Sequence, residues 1–241
     1  MIHTFLFDLD GTLLPMENHK FVHAYFHGVE KKAAAAGYEP KTFMKAFMAG
    51  SDAMAHNDGS RSNKDVFFDI FLKELGINGD DKLYNLFIDF YLNEYLDIVR
   101  QECPVNPYAA EVIRKLSDKK YQLALATNPF FPIEAVSGRI KCAGLEPDSF
   151  KIITTYDAYN NCKPDPAYFM EILSRMNAAP EDSIMVGNDF EMDMAAGKCG
   201  MDLFLVTDCL ENAEDQDISI YRHGTLRDLS LFIDSLPDLS E

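Results

Sequence analysis

Five apolar runs of strand length, HTFLFDLD (3–10), YQLALATN (121–128), KIITTY (151–156), SIMVGND (183–189) and DLFLVTD (202–208), are spaced along this 241-residue chain. Helical periodicity fills the intervals, near 108–119, 131–143 and 165–177, with a short stretch near 190–199. Strand and helix in alternation predict an α/β fold: a doubly wound parallel sheet with helices on both faces. Four of the runs end in polar residues, namely Asp8 and Asp10, Thr127 and Asn128, Asn188 and Asp189, and Asp208. Ligands of such sheets bind beyond the carboxyl ends of the strands, so these residues are expected to meet in one site.

One connection breaks the rhythm. Residues 15–105 separate the first run from the second and read as helix at 18–36, 40–56, 62–76 and 80–102. That is too long for a crossover, so it predicts an all-helical inserted domain with its own apolar faces in VFFDIFLKEL and LYNLFIDFYLNEYL. Prolines at Leu14-Pro15 and at Pro104-Val105-Asn106-Pro107 mark its hinges. The predicted division is an α/β core of 1–14 and 106–241 around a helical domain of 15–105. Thr225-Leu-Arg-Asp228 has the form of a capping box opening a last helix that buries Leu229, Phe232, Ile233 and Leu236.

Charge narrows the partners. A formal net charge of −17 argues against nucleic acid, whose binding depends on a basic patch that releases counterions. It also repels anionic small molecules at long range, so an anion site must carry local positive charge such as a metal ion. No apolar run approaches the roughly 18 residues of a membrane span, and MIHTFLFDLD places a charge where a secretory segment would continue. A cytoplasmic protein without a membrane partner is expected, and the acidic surface makes a monomer the default. The five cysteines include no C-x-x-C pair and are read as reduced and structural, Cys162 beside Lys163 included.

Asp8 and Asp10 have two readings: a cap on strand and turn before Gly11, or a catalytic pair. An ionised aspartate attacks phosphorus when a metal and a cationic side chain screen the charges. A second, protonated aspartate then donates to the leaving oxygen and later deprotonates water. The choice rests on downstream partners, and they are present. Asp8-Leu-Asp10-Gly-Thr12-Leu-Leu, Thr127 at the end of the second strand, Lys163 in Cys-Lys-Pro-Asp-Pro, and Gly187-Asn188-Asp189-Phe-Glu-Met-Asp193-Met-Ala-Ala-Gly197 follow one another in order. Together they resemble the four motifs of the haloacid dehalogenase-like superfamily of phosphohydrolases, whose Rossmann-like core would span 1–14 and 105–210 here.

The resemblance implies a role for each residue. Asp8 would be the nucleophile and a Mg²⁺ ligand; Asp10 would be the general acid/base and bind the metal through its backbone carbonyl. Thr127 would donate its hydroxyl to the phosphoryl group, Asn128 would add a phosphate-binding donor, and Lys163 would neutralise Asp8 and the phosphoryl oxygens. An all-oxygen ligand set favours Mg²⁺ over zinc. One departure stands out: the family often has Gly-Asp where this chain has Gly187-Asn188, with the aspartate displaced to 189. Asp189 is preferred as the metal ligand on charge, with Asn188 as the alternative. Asp193 is read as a support for Lys163 or a metal-bound water, and Asp165 as the cap of the helix that Pro166 starts.

The helical insertion resembles the cap that many of these enzymes carry over the site. Its His19, His23 and His27 share a helix face and are read as a solvated stripe in preference to a metal face. The loop His56–Arg61 is read as a plain connection, and Phe67, Phe68, Phe71, Phe87, Phe90 and Tyr91 as cap core in preference to a ring-binding box. The expected function is a Mg²⁺-dependent phosphatase of a small phosphate monoester, acting through an aspartyl phosphate. A sugar-phosphate mutase is the nearest alternative, and a catalytically silent binding protein is the alternative of another class.

Overall fold

The structure is a computed structural model and describes residues 1–78, 81–214 and 216–239. The predicted starting residue of the fourth inserted helix, position 80, lies outside them. Among the described residues the chain forms a six-stranded parallel sheet in the order β3-β2-β1-β4-β5-β6, from β1 (Thr4–Phe7), β2 (Gln122–Leu125), β3 (Ile152–Ile153), β4 (Ser183–Gly187), β5 (Asp202–Val206) and β6 (Arg222–Gly224). This is the expected doubly wound sheet, and the strand order reverses direction at β1, where such sheets open a binding crevice. The edge strand β6 was not anticipated. Arg222-His223-Gly224 has no apolar run because only one of its sides meets another strand, β5.

The sequence TFLF explains why β1 is central. Phe7 pairs with Leu125 on one side and Val186 on the other, and all four residues are buried. Side chains alternate across the sheet, so Phe5 and Phe7 join one apolar cluster while Leu6 joins another with Tyr168, Phe169, Ile172 and Met185. The next residue, Asp8, still hydrogen-bonds through its N–H to the Val186 carbonyl at 2.9 Å. Its carboxylate is thereby fixed at the middle of the sheet's carboxyl edge.

Between β1 and β2 lie α1 (Asn18–Ala35), α2 (Pro40–Ala55), α3 (Asn63–Leu75), α4 (Asp81–Leu92), α5 (Glu94–Glu102) and α6 (Pro107–Asp118). The single helix expected over 80–102 is two. At Asn93 the side-chain amide turns back to the Asp89 carbonyl at 2.9 Å, and the backbone leaves the helix at φ −120°, ψ −94°. The remaining helices are α7 (Ile133–Cys142), α8 (Pro166–Met176) and α9 (Leu226–Asp234), whose Thr225–Asp228 capping box is complete. The short stretch expected near 190–199 is a 3₁₀ helix over Met194–Cys199. No helix of the described residues is long and apolar enough to cross a membrane.

The inserted helices do not bury a core of their own. Phe43, Phe47, Phe71, Phe87 and Phe90 belong to the same contiguous cluster as Phe5, Phe7, Leu13 and Leu14. The start of α3 is tied to the sheet's loops as well: the Asn63 N–H donates to the Tyr159 carbonyl at 3.0 Å and the Lys64 N–H to the Tyr156 carbonyl at 2.8 Å. Helices thus stand directly over the edge that carries Asp8.

Candidate active site

The turn after β1 places the first two carboxylates. The N–H of Leu14 returns to the Leu9 carbonyl at 2.8 Å and that of Gly11 to the Leu14 carbonyl at 2.8 Å, closing a tight loop. Gly11 sits at φ +83°, and a Cβ there would fall 2.3 Å from Nδ2 of Asn188. The missing side chain lets Asn188 lie against the loop. Its Oδ1 accepts from the Thr12 hydroxyl at 2.8 Å, while its Nδ2 donates to the Cys209 carbonyl at 2.6 Å. That second bond fixes which way the amide points, with its oxygen turned toward the Thr12 hydroxyl.

Lys163 enters from the loop before α8. Its Nζ lies 2.6 Å from Asp8 Oδ1 and 2.6 Å from Asp193 Oδ1, and all three residues are buried. Asp193 fits because β4 ends in glycine: a Cβ on Gly187 would meet Asp193 Oδ2 at 2.1 Å. Burial pushes the Asp8 carboxyl up to about 7; Lys163 pulls it down, and Asp193 and Asp10 push it further up. Burial also acts against the Lys163 ammonium, but Asp193 and Asp8 outweigh it and hold the amine charged.

Asn128 and Thr127 frame the lysine. The Asn128 side-chain oxygen accepts from the Lys163 N–H at 3.2 Å, and the Thr127 carbonyl is held by the Thr154 hydroxyl at 2.5 Å and the Tyr168 hydroxyl at 2.7 Å. Asp189 lines the same cavity as these groups, but its carboxylate is engaged by protein donors. Its Oδ1 accepts from the N–H groups of Glu191 and Met192 at 2.9 Å each, and its Oδ2 from Asn212 at 2.7 Å. The Asp189 carboxylate is thus engaged by its own turn and by Asn212, whereas the Asn188 side-chain oxygen shares the Thr12 hydroxyl with Asp8 Oδ2, at 2.8 and 3.4 Å.

These groups fit a hard divalent cation. Asp8, Asp10 and Asn188 each offer a side-chain oxygen, Asp10 Oδ1 is buried with no hydrogen-bond partner, and Asp8 is raised first by burial and then by the neighbouring Asp193 and Asp10. No cluster of three or more His, Cys, Asp or Glu side chains among the described residues makes a separate metal site, and His19, His23 and His27 are exposed.

One functional residue escaped the sequence reading. Arg139 of α7 has no solvent exposure, donates through Nη1 to Asp10 Oδ2, and stacks over the Phe131 ring at 4.4 Å. Its Nε and Nη2 have no partner. Burial works against its charge, and Asp10 first among its neighbours restores it. A signal existed: Arg139 lies on the buried stripe Ala135, Val136, Arg139, Ile140, where amphipathic periodicity asks for an apolar residue.

Asp8, Asp10, Thr127, Asn128, Lys163, Asn188, Asp189 and Asp193 all line a cavity of about 390 Å³, together with Arg139. Asp208 does not. Its Oδ2 accepts from the Leu226 N–H at 2.8 Å, so the end of β5 supports α9 instead. Asp165 caps α8 by accepting from the Ala167 N–H at 2.8 Å. Burial pushes the Cys162 thiol up to about 12, which suits an inert side chain bonded to the Met54 carbonyl. The 56–61 loop bonds within itself, as in Asn57 to the Arg61 carbonyl at 2.9 Å, and also outward, as in the Asn160 amide to the Gly59 carbonyl at 3.1 Å. The aromatic run divides: Phe71 and Phe90 are core, whereas Phe67, Phe68, Phe87 and Tyr91 also line the cavity.

A family model described as haloacid dehalogenase-like hydrolase matches residues 2–200. The chain is 25% identical over 245 residues to a ribulose-1,5-bisphosphate 5-phosphatase of Halopiger xanaduensis, covering 98% of this chain and 97% of that one. It is 32% identical over 88 residues to pyrophosphatase PpaX of Listeria monocytogenes, a match spanning 36% of this chain and only 39% of the relative. Among solved structures, a phosphatase from Thermococcus onnurineus superposes with a TM-score of 0.63 at 21% identity, over 99% of this chain and 100% of that one.

Proposed function

The chain belongs to the haloacid dehalogenase-like hydrolase family, and from that premise we propose that it is a Mg²⁺-dependent phosphatase of a small phosphate monoester. The observation that carries the reading is the buried triad in which Lys163 Nζ bridges Asp8 and Asp193 at 2.6 Å each, at the mouth of the central strand. The Halopiger and Listeria relatives, a ribulose-bisphosphate phosphatase and a pyrophosphatase, support release of phosphate as the shared outcome.

Asp8 is the nucleophile in this reading. Its carboxylate oxygen forms a bond to phosphorus as the ester P–O bond breaks, and Asp10 gives a proton to the departing alkoxide. Water then attacks the phosphorus of the aspartyl phosphate, Asp10 takes a proton from that water, and Asp8 is regenerated with inorganic phosphate. Lys163 carries positive charge beside the transferring oxygens throughout, and Asp193 holds the amine in place. Thr127 donates to a phosphoryl oxygen, while Asn128 acts mainly by fixing the Lys163 backbone. Asp8, the Asp10 carbonyl and Asn188 would hold Mg²⁺, whose charge offsets that of the phosphoryl group when bound. The helices of 15–105 serve as a cap that shields the site from bulk solvent while leaving room for the one water that Asp10 activates.

Phosphate release from a panel of esters with Mg²⁺ tests the proposal. Turnover that Asp8→Asn abolishes in a folded protein supports it. Interconversion of isomers without net phosphate release indicates a mutase, and turnover of no ester overturns the reading.

A further inference from the structure

The floor of the cavity and the walls above it have opposite characters. Charged groups gather at the end of β1, whereas Phe47, Phe67, Phe87 and Tyr91 from the inserted helices and Phe130 and Phe131 from the loop before α7 line the remainder. Among the described lining residues the cations are Lys163 and Arg139, and each is already ion-paired: Lys163 with Asp8 and Asp193, Arg139 with Asp10. Asp189 and Glu211, the other charged lining groups beyond those partners, are acidic. A second phosphate on the substrate would meet no cation that lacks a carboxylate partner, only the unpartnered Nε and Nη2 of the already paired Arg139, and would share the cavity with the Asp189 and Glu211 carboxylates. The Tyr25 and Tyr91 hydroxyls bond each other at 2.9 Å, so neither requires a polar substituent on the substrate.

We propose, resting on the phosphatase reading above, that the alcohol half of the substrate is uncharged and apolar, with an aromatic ring as its best occupant. These aromatic walls favour offset and edge-to-face contact with a planar group. A volume of about 390 Å³ suits a phosphoryl group and one ring system better than a nucleotide. This assigns part of the aromatic run a binding role beside its packing role. It also sets the chain's substrate apart from the bisphosphate and pyrophosphate named for its relatives.

The test uses the full chain with Mg²⁺. Phosphate release is compared for benzyl phosphate and ethyl phosphate, both esters of primary alcohols, and for a sugar bisphosphate and pyrophosphate. Benzyl phosphate is expected to exceed ethyl phosphate by about tenfold or more in kcat/KM, mostly through KM, with the doubly charged substrates below both. Phe68→Ala and Phe130→Ala, at partly exposed positions that tolerate truncation, should shrink the benzyl-to-ethyl ratio. In parallel, benzylphosphonate and methylphosphonate, which cannot be hydrolysed, are titrated calorimetrically; benzylphosphonate should bind about tenfold tighter. A preference for bisphosphate or pyrophosphate, or equal binding of the two phosphonates, overturns this inference and leaves the phosphatase reading standing. Selective phosphonate binding with release from no ester keeps the apolar pocket and overturns the phosphatase reading.

Discussion

Arg139 donates to Asp10 from a position with no solvent exposure, 129 residues along the chain from its partner. The pair joins α7 to the turn that leaves β1, so the second carboxylate of the D-x-D pair is held from beneath the cavity. A buried guanidinium without its carboxylate has an uncompensated charge, and the reverse holds for Asp10. Arg139→Met should therefore destabilise the protein by about 3 kcal/mol or more. Combining it with Asp10→Asn should cost less than the sum of the two single changes, as denaturant unfolding of the full cycle would measure. Strict additivity would mean the contact contributes nothing.

The Asp8 carboxyl predicts a pH-dependent stability. Its folded value, about 7, lies above the ordinary 3.8, so the fold favours the protonated form. The associated stability is full below about pH 4 and is lost as pH rises through about 7. Metal-free wild type should thus lose stability relative to Asp8→Asn across that window. Mg²⁺, which needs the deprotonated carboxylate, should raise the wild-type Tm more at pH 8 than at pH 6. Melting curves in chelator and in Mg²⁺ measure both; parallel profiles for wild type and Asp8→Asn would contradict the account.

Asn188 and Asp189 separate cleanly by mutation. Asn188→Ala removes the amide oxygen that shares the Thr12 hydroxyl with Asp8 and should weaken Mg²⁺ binding by roughly tenfold or more. Asp189→Ala removes the acceptor of two backbone N–H groups and should cost about 1 kcal/mol of stability with a smaller effect on Mg²⁺. Calorimetric titration of both variants checks the order, and the opposite order would return Asp189 to the metal.

Asp193→Ala leaves Lys163 buried against Asp8 alone. Activity should fall at least about 100-fold, because the ammonium loses the partner that positions it. The conservative Asp193→Asn should recover part of the kcat and little of the stability. Equal kinetics for the two variants would show that the hydrogen bond from Lys163 to position 193 contributes nothing apart from charge.

Much of this arrangement was legible because strand ends are local features. Asp8, Thr127 and Asn188 each follow an apolar run that needs no partner to be recognised, and the sheet then brings them together. Lys163 was readable from its motif and Asp165 from the proline after it. Arg139 was not found, because its meaning depends on Asp10 across the fold and the only local sign was a charge on an apolar helix stripe. Asp189 is favoured by charge alone, and the sequence does not show that its Oδ1 accepts from two backbone N–H groups of its own turn and its Oδ2 from the Asn212 side chain. The split at Asn93 and the strand Arg222–Gly224 were hidden for a similar reason: a helix that breaks at an amide and an edge strand with one neighbour leave no periodic trace. The aromatic residues of α3 and α4 carried an ambiguity that periodicity cannot resolve, since a ring facing a cavity and a ring facing a core occupy the same helix face.

The central claim is that Asp8 attacks phosphorus. Turnover with a hydrolysed ester is stopped by acid, and the protein is reduced with borohydride, which converts an aspartyl phosphate to homoserine. Peptide mass spectrometry then reads position 8. The account predicts homoserine at position 8 in wild type during turnover and none in Asp8→Asn. Sustained phosphate release with an unmodified Asp8 at every quench time, including in an Asp10→Ala variant slowed in the second step, would contradict it.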